Sequence, residues 1–134
     1  MRCNAFLALV LAAMQPAWAG QPQDFQAAFA AEARTDDPDF SGFVASRGER
    51  FFKSRHGTDW RCSTCHTDNP LSAGKHAVTG KPIQALAPSA NPERFTRREK
   101  VDKWFRRNCN DVLKRTCTAL EKGDVLAYLL SLAR

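Results

Sequence analysis

The sequence lacks a long apolar run, strand-like alternation and, beyond its first residues, methionine. Its longest apolar run, from Ala5 to Met14, is about ten residues, whereas a bilayer-spanning helix needs roughly 20. No segment alternates apolar and polar residues as a strand does, and no internal repeat is present. Because Met1 and Met14 are the only methionines, residues 20–134 offer no thioether to a metal. The sequence therefore predicts an all-α domain with loops and no membrane span in the mature chain.

The first 19 residues have the order of a secretion signal. Arg2 precedes the apolar run, which is followed by the small-x-small cleavage site Ala17-Trp18-Ala19. We predict that residues 1–19 are removed and that residues 20–134 form a single domain in the periplasm. Cys3 leaves with the signal, and an even set of cysteines in an exported chain indicates that all are used. The four that remain are Cys62, Cys65, Cys109 and Cys117.

The charge balance is mildly basic, with a formal net charge of +6. The basic residues are spread along the chain and no nucleic-acid-binding motif accompanies them, so we predict no nucleic-acid partner. A solvated surface, or a docking face for an acidic redox partner, explains these residues better.

Apolar spacing predicts four helices. They are expected at residues 23–34, from Ser41 or Ser46 as N-cap to Gly57, at residues 96–108 and at residues 124–133. Their apolar faces carry, in chain order, Phe25 and Phe29; Phe43, Val44, Phe51 and Phe52; Val101, Trp104 and Phe105; and Val125, Tyr128, Leu129 and Leu132. Residues 68–95 are rich in Pro and Gly pairs and lack periodicity, which predicts a long loop of the kind that wraps a ligand.

The segment Cys62-Ser63-Thr64-Cys65-His66 matches the CxxCH attachment signature for c-type haem. Two residues between the cysteines let one turn span the two vinyl-bearing edges of the porphyrin, and His66 can then reach the iron. The composition makes the number of such patterns expected by chance on the order of 0.004, so coincidence is a poor explanation. A zinc site needs two more ligands, and a thioredoxin-like dithiol needs a βαβ context that is missing. We predict one covalently bound haem c.

The ligand on the other side of the iron is not fixed by this pattern. Many c-type cytochromes use methionine there, which residues 20–134 lack. The candidates are His56, His76, a lysine, an amide side chain, or no ligand. His56 lies on the segment that leads into the attachment turn, from which the opposite haem face is awkward to reach. His76 lies in the long loop and could swing over the iron to give bis-His coordination.

Cys109 and Cys117 constrain the chain between them if they are bonded. A straight helix would separate their Cα atoms by about 12 Å, beyond the limit of about 7 Å for a disulfide. A bond between them therefore requires a turn in the chain. Such a disulfide would hold a small loop beside Asn108, and it would stabilise a small exported domain.

The chain resembles the sphaeroides haem protein family of oxygen-binding, high-spin c-type cytochromes from about Ser46 to Ala133. The resemblance rests on Ser46-Arg47-Gly48-Glu49-Arg50-Phe51-Phe52, the CxxCH segment, Ala73-Gly74, Thr79-Gly80-Lys81, Leu86-Ala87-Pro88-Ser89-Ala90, Pro92-Glu93-Arg94-Phe95-Thr96, and Val101-Asp102-Lys103-Trp104-Phe105-Arg106-Arg107-Asn108-Cys109-Asn110 followed by Cys117. It implies class I cytochrome c-like helices around one covalently bound haem, with a long haem-wrapping loop. It also implies that Asn108 is the sixth iron ligand and that Cys109 and Cys117 are bridged.

The family likeness implies a ligand exchange at Asn108. An amide oxygen is a hard ligand that tolerates ferric iron but binds the softer ferrous state poorly. The likeness implies that reduction releases Asn108 and opens a site for a small diatomic ligand such as O2, NO or CO. It also suggests a diheme cytochrome c or a membrane cytochrome b as the electron donor.

Several alternatives stay open at this point. Asn69, Asn91 and Asn110 are other amides, each expected as a turn residue, and only Asn110 is close enough to compete with Asn108. The chain could instead be a haem enzyme that reduces or detoxifies O2, NO or peroxide, or a plain bis-His electron carrier that uses His76. Trp104, one helical turn before Asn108, is expected either to pack on the haem or to be an ordinary core aromatic.

Overall fold

The computed structural model describes residues 20–133, and the predicted signal segment lies outside the described residues. The described chain forms five helices: α1 (Pro22–Asp36), α2 (Ala45–Lys53), α3 (Cys62–His66), α4 (Arg98–Leu113) and α5 (Ala119–Ser131). An antiparallel pair, β1 (Gly74–Lys75) and β2 (Pro82–Ile83), lies in the long loop, with Gly74 opposite Ile83. The all-α prediction is confirmed, apart from this short pair. No helix within residues 20–133 is long and apolar enough to cross a membrane.

The first core cluster lies where α1, α4 and α5 meet. It consists of the buried side chains of Phe25, Phe29, Val101 and Leu126. The Phe105 ring of α4 packs edge-on to the Phe29 ring, with the two centroids 5.7 Å apart. Burying an aromatic or aliphatic side chain of this size stabilises the fold by roughly 1.5–3 kcal/mol. The cluster therefore fixes α4, the helix that carries Asn108, against the rest of the domain.

A second cluster joins α2 to α5 and leads to α3. Phe52 of α2 packs with Val125, Tyr128 and Leu129 of α5, and all four side chains are buried. The Cys62 side chain packs against this cluster. The first residue of the CxxCH segment is thus placed by the same apolar contacts that hold two helices together.

The crossing of α2 and α5 depends on Gly48 and Asp124. A Cβ atom at Gly48 would lie 1.9 Å from the backbone oxygen of Asp124, so only glycine allows the observed approach. The buried Asp124 carboxylate accepts a hydrogen bond from the Val44 backbone N–H at 2.8 Å and further bonds from the Arg47 guanidinium. A buried carboxylate needs such partners to offset its lost hydration. The glycine sets the separation of the helices, and the carboxylate holds the chain before α2.

The second helix is shorter than the sequence predicted. It begins after Val44 rather than at Ser41 or Ser46, and it ends at Lys53 rather than at Gly57. The predicted start was wrong because Val44 is kept in an extended conformation, with its N–H bonded to a buried carboxylate of α5. That contact joins residues far apart in sequence, and local patterning does not reveal it.

Helices α4 and α5 are both longer than predicted. Helix α4 continues past residue 108 to Leu113, and Lys114 ends it in a left-handed conformation with φ 58°. Helix α5 begins at Ala119 because the Thr118 hydroxyl accepts a hydrogen bond from the Glu121 N–H, which caps the first turn. The chain turns between the two helices, as a bond between Cys109 and Cys117 requires.

The loop between α3 and α4 folds back on the domain. The carbonyl of the buried Pro70 accepts hydrogen bonds from the N–H groups of Leu86 and Ala87, both at 3.0 Å. The Ser89 hydroxyl donates to the carbonyl of Leu132 at 2.7 Å. The Pro70 bonds close the loop on itself, and the Ser89 bond ties it to the end of α5.

Candidate haem-binding site

Helix α3 presents the two cysteines and the histidine of the CxxCH segment on a single short turn. The Arg61 N–H donates to the Thr64 hydroxyl at 3.1 Å at the start of this turn, and Thr67 ends it with a positive φ of 62°. Cys62 and Cys65 are free thiols and both are half-buried. The segment therefore has the compact geometry that the attachment chemistry needs.

The two thiols have different surroundings. Burial in the second core cluster raises the pKa of the Cys62 thiol to about 12, so this sulfur is protonated at neutral pH. The Cys65 sulfur accepts a hydrogen bond from the Ala77 N–H at 3.3 Å. Gly74 of β1 comes so close that a Cβ there would lie 2.0 Å from the Cys65 carbonyl oxygen. The strand pair is thus held directly against the second cysteine.

His66 is placed as a neutral imidazole. Burial, followed by the positive charge of Arg94, lowers the pKa of His66 to about 4. Its ring centroid lies 6.3 Å from that of the buried Phe52. A neutral imidazole has a free nitrogen lone pair, which is what a metal ligand requires. Two thiols and a neutral imidazole beside apolar walls form a donor set that fits a covalently attached haem.

Arg94 is a site residue that the sequence patterns did not single out. Its guanidinium donates to the carbonyl of Ala85 at 2.9 Å and to that of Gln84 at 2.7 Å, and burial lowers its pKa. These bonds hold a positive charge where it acts on His66. An Arg in a loop is ordinarily a solvated residue, so only the folded loop reveals this placement.

Asn108 lies on α4 with a half-buried side chain. It directly precedes the buried Cys109, whose sulfur lies at bonding distance from that of Cys117, with 5.6 Å between the Cα atoms. Within the described residues, the Asn108 amide has no hydrogen-bond partner. The Thr58 hydroxyl, four residues before α3, donates to the Val112 carbonyl at 2.8 Å and so ties the CxxCH side of the site to α4. The amide that the family likeness predicts as a ligand is therefore held by a rigid helix.

The alternative amides are placed differently. The Asn69 side chain accepts from the Leu71 N–H, and the Asn91 side chain accepts from the Glu93 N–H, both at 3.2 Å. Both are turn residues, as expected. Asn110 lies within α4, so the expectation of a turn residue was wrong there. It is exposed, and two residues along a helix correspond to a rotation of about 200°, so it faces away from the side that carries Asn108.

His76 is engaged within its own turn. Its Nδ1 atom accepts hydrogen bonds from the N–H groups of Val78 at 3.3 Å and Thr79 at 3.2 Å. A neutral imidazole that accepts at Nδ1 carries its proton on Nε2, which then has no lone pair for a metal. His56 is also occupied, because its Nε2 atom lies 2.8 Å from the Phe51 carbonyl oxygen. Ligation through the Nε2 atom of either ring would require these contacts to break.

Trp104 is not a core aromatic. Its side chain is 44% exposed, and the Lys103 amine and the Arg107 guanidinium lie 5.7 Å and 5.6 Å from its ring centroid. The expectation of an ordinary core position was wrong because Trp104 lies beside, rather than within, the buried face formed by Val101 and Val112. The alternative, that Trp104 packs on the haem, stays a prediction.

Comparison with known sequences identifies close relatives. Residues 38–129 match the model of a domain of unknown function, DUF1924. The cytochrome c-type protein SHP of Cereibacter sphaeroides is 41% identical over 129 residues, which cover 92% of this chain and 95% of that protein. Cytochrome c'' of Methylophilus methylotrophus is 46% identical over 82 residues, or 61% of this chain. That match spans only 57% of the length of cytochrome c''.

Solved structures of the same two proteins share the fold. Oxidised SHP, described as an oxygen binding cytochrome c, is 39% identical with a TM-score of 0.74, covering 84% of this chain and 100% of that one. The solution structure of Methylophilus methylotrophus cytochrome c'', described as giving insights into the structural basis of haem-ligand detachment, is 34% identical with a TM-score of 0.76, covering 84% of this chain and 94% of that one. These relatives confirm the class I cytochrome-like fold and one covalent haem c.

Proposed function

This chain belongs to the family of the cytochrome c-type protein SHP, and we propose on that premise that it is an exported electron carrier whose iron gains an open site on reduction. Asn108 is the proposed distal ligand, and His66 is the proposed proximal one. The observation that carries the proposal is the Asn108 amide itself. It is half-buried on a helix beside a buried cysteine, and it has no hydrogen-bond partner among residues 20–133.

The Asn108 amide differs from the amides of the long loop. The side-chain oxygens of Asn69 and Asn91 accept backbone hydrogen bonds that close turns, whereas the Asn108 amide forms no hydrogen bond with residues 20–133. An amide oxygen held on α4 is therefore available to a ligand that the polypeptide alone does not supply.

Asn108 would have a different role in each oxidation state of the iron. Bound haem supplies an iron that alternates between ferric and ferrous states and accepts a sixth ligand. Asn108 would bind the ferric state through its amide oxygen and leave on reduction, because a hard oxygen donor suits the softer ferrous ion poorly. The freed amide, still held by α4, could then donate a hydrogen bond to a small diatomic ligand such as O2, NO or CO. Oxygen binding by SHP and haem-ligand detachment in cytochrome c'' support this proposal by likeness.

A bis-His carrier through His76 is the less favoured alternative. Two backbone N–H groups hold the Nδ1 atom of that ring, and the tautomer this selects has no free nitrogen for iron. Loss of those two bonds, each worth about 0.5–1.5 kcal/mol, would oppose movement of the His76 ring to the iron.

We further propose a periplasmic location, with electrons supplied by a diheme cytochrome c or a membrane cytochrome b.

The test is the optical spectrum of the haem-loaded Asn108→Ala variant in both oxidation states. We expect its ferric spectrum to change from that of the wild type, while its ferrous spectrum stays the same because the amide has already left. The reduction potential should rise, since only the ferric state loses a ligand. Asn110→Ala, on the other side of α4, is the matched control and should change neither spectrum. An unchanged ferric spectrum in Asn108→Ala would refute Asn108 as the distal ligand.

A further inference from the structure

Helix α4 carries a group of basic side chains around the exposed Trp104. Lys100, Lys103, Trp104 and Arg107 are spaced at i, i+3, i+4 and i+7, so they form one stripe along the helix surface, about 10 Å long. All four are exposed. We name this set the Trp104 patch.

The charges of this patch are not neutralised within the described chain. Among the cations of α4, Arg98 pairs with Asp102 at 2.8 Å, whereas Lys100, Lys103 and Arg107 form no ion pair with a carboxylate of residues 20–133. The amine of Lys103 and the guanidinium of Arg107 lie over the indole ring instead. Cation–π contacts at exposed sites are worth only about 0.5–1 kcal/mol, so the two cations remain available to a stronger anionic partner.

The composition of the patch matches the centre of a protein interface. Trp and Arg are the side chains that most often carry binding energy in such interfaces. Exposed aromatic surface flanked by unpaired cations is complementary to a small apolar spot surrounded by carboxylates. A patch of this length suits a transient electron-transfer complex, which buries little area.

We propose that the Trp104 patch is the docking surface for an acidic electron-donor protein. This inference rests on the proposed electron-carrier function. Trp104 lies one helical turn, about 6 Å along the axis, before Asn108, so a protein docked there is next to the segment that holds the proposed distal ligand. Glu99 and Asp111 interrupt the basic surface of α4, which favours a partner with a localised acidic patch over a uniformly anionic polymer.

The test measures how fast a reduced plant-type ferredoxin, chosen as an acidic probe protein, reduces the ferric holoprotein in a stopped-flow instrument without oxygen. At about 20 mM ionic strength, Lys103→Glu/Arg107→Glu should lower the second-order rate constant by about tenfold or more, because steering changes association rates by 10–10³-fold. Lys75→Glu/Lys81→Glu, which makes the same change in net charge on the β1–β2 hairpin, is the matched control and should cost less than about threefold. At high salt, the rate constants of the wild type and of the two double variants should become similar. An equal loss in both double variants would overturn the proposal, because net charge alone would explain it.

Two further measurements separate the remaining outcomes. Sedimentation with vesicles of equal phosphatidylglycerol and phosphatidylcholine tests the membrane alternative. Vesicle binding that depends on Lys103 and Arg107, with an unchanged ferredoxin rate, would overturn docking of a protein. Dithionite reduction followed by CO tests the open site independently of docking. A wild type that reacts with ferredoxin through the patch but does not bind CO would refute the proposed function and leave the docking inference standing.

Discussion

Replacing Gly48 with alanine tests the packing that places the CxxCH segment. The added Cβ would lie 1.9 Å from the Asp124 backbone oxygen, where ordinary contact begins at 3.4 Å, so α2 and α5 must separate by about 1.5 Å. Overpacking of this kind costs about 1–3 kcal/mol, and weaker hydrogen bonds to the buried Asp124 carboxylate add about 1 kcal/mol or more. The higher helix propensity of alanine offsets only about 1 kcal/mol of this loss. We expect a net loss of about 2 kcal/mol, or roughly 10 °C in Tm.

Thermal and urea unfolding of the haem-loaded protein, followed by circular dichroism and Soret absorbance, would measure this loss. Gly123→Ala is the matched control, because its Cβ would meet the ring of the half-buried Phe43 at 2.1 Å, and a side chain can move where a backbone cannot. We expect that variant to lose less than about 1 kcal/mol. If Gly48→Ala were as stable as the wild type, or more stable than Gly123→Ala, the reasoning about the helix crossing would be wrong.

Three other variants have clear expected outcomes. Burial pushes the pKa of Glu121 up, but the hydrogen bonds from Arg115 and from a backbone N–H outweigh it and lower the pKa. The folded pKa lies below the unfolded value of about 4.3, so this stabilisation is complete above that pH and is lost as the pH falls through the folded pKa. Glu121→Gln should therefore cost about 1 kcal/mol in unfolding free energy at pH 7, and the difference should disappear in acid; a loss that persisted below the folded pKa would contradict this. His76→Ala should leave the ferric and ferrous spectra unchanged, and a changed ferrous spectrum would identify it as a ligand. Replacing Cys109 and Cys117 together by serine should cost about 2.5 kcal/mol in unfolding free energy, and an unchanged urea midpoint would show that the bridge does not stabilise the fold.

The sequence predicts the chemistry of the site better than its surroundings. The CxxCH pattern is local, so one turn of chain predicts which sulfur atoms attach the haem and which nitrogen binds its iron. The buried faces of α4 and α5 can likewise be predicted, because apolar residues recur with the period of a helix. The family likeness, rather than any spacing, points to Asn108.

What the sequence does not predict depends on contacts between distant residues. The start of α2 is set by a buried carboxylate of α5, and the close approach of Gly74 to Cys65 depends on the folded loop. Arg94 acts on His66 only because two loop carbonyls hold its guanidinium. Trp104 sits at the edge of the apolar face of α4, where periodicity alone does not separate a core aromatic from an exposed one.

The central claim is that the iron loses its distal ligand on reduction. The most direct measurement is the optical spectrum of the haem-loaded protein, oxidised and then reduced without oxygen, before and after CO is added. We predict a high-spin ferrous spectrum that shifts fully with CO. A sharp low-spin ferrous α-band that CO does not change would contradict the account and would show that a strong ligand remains bound.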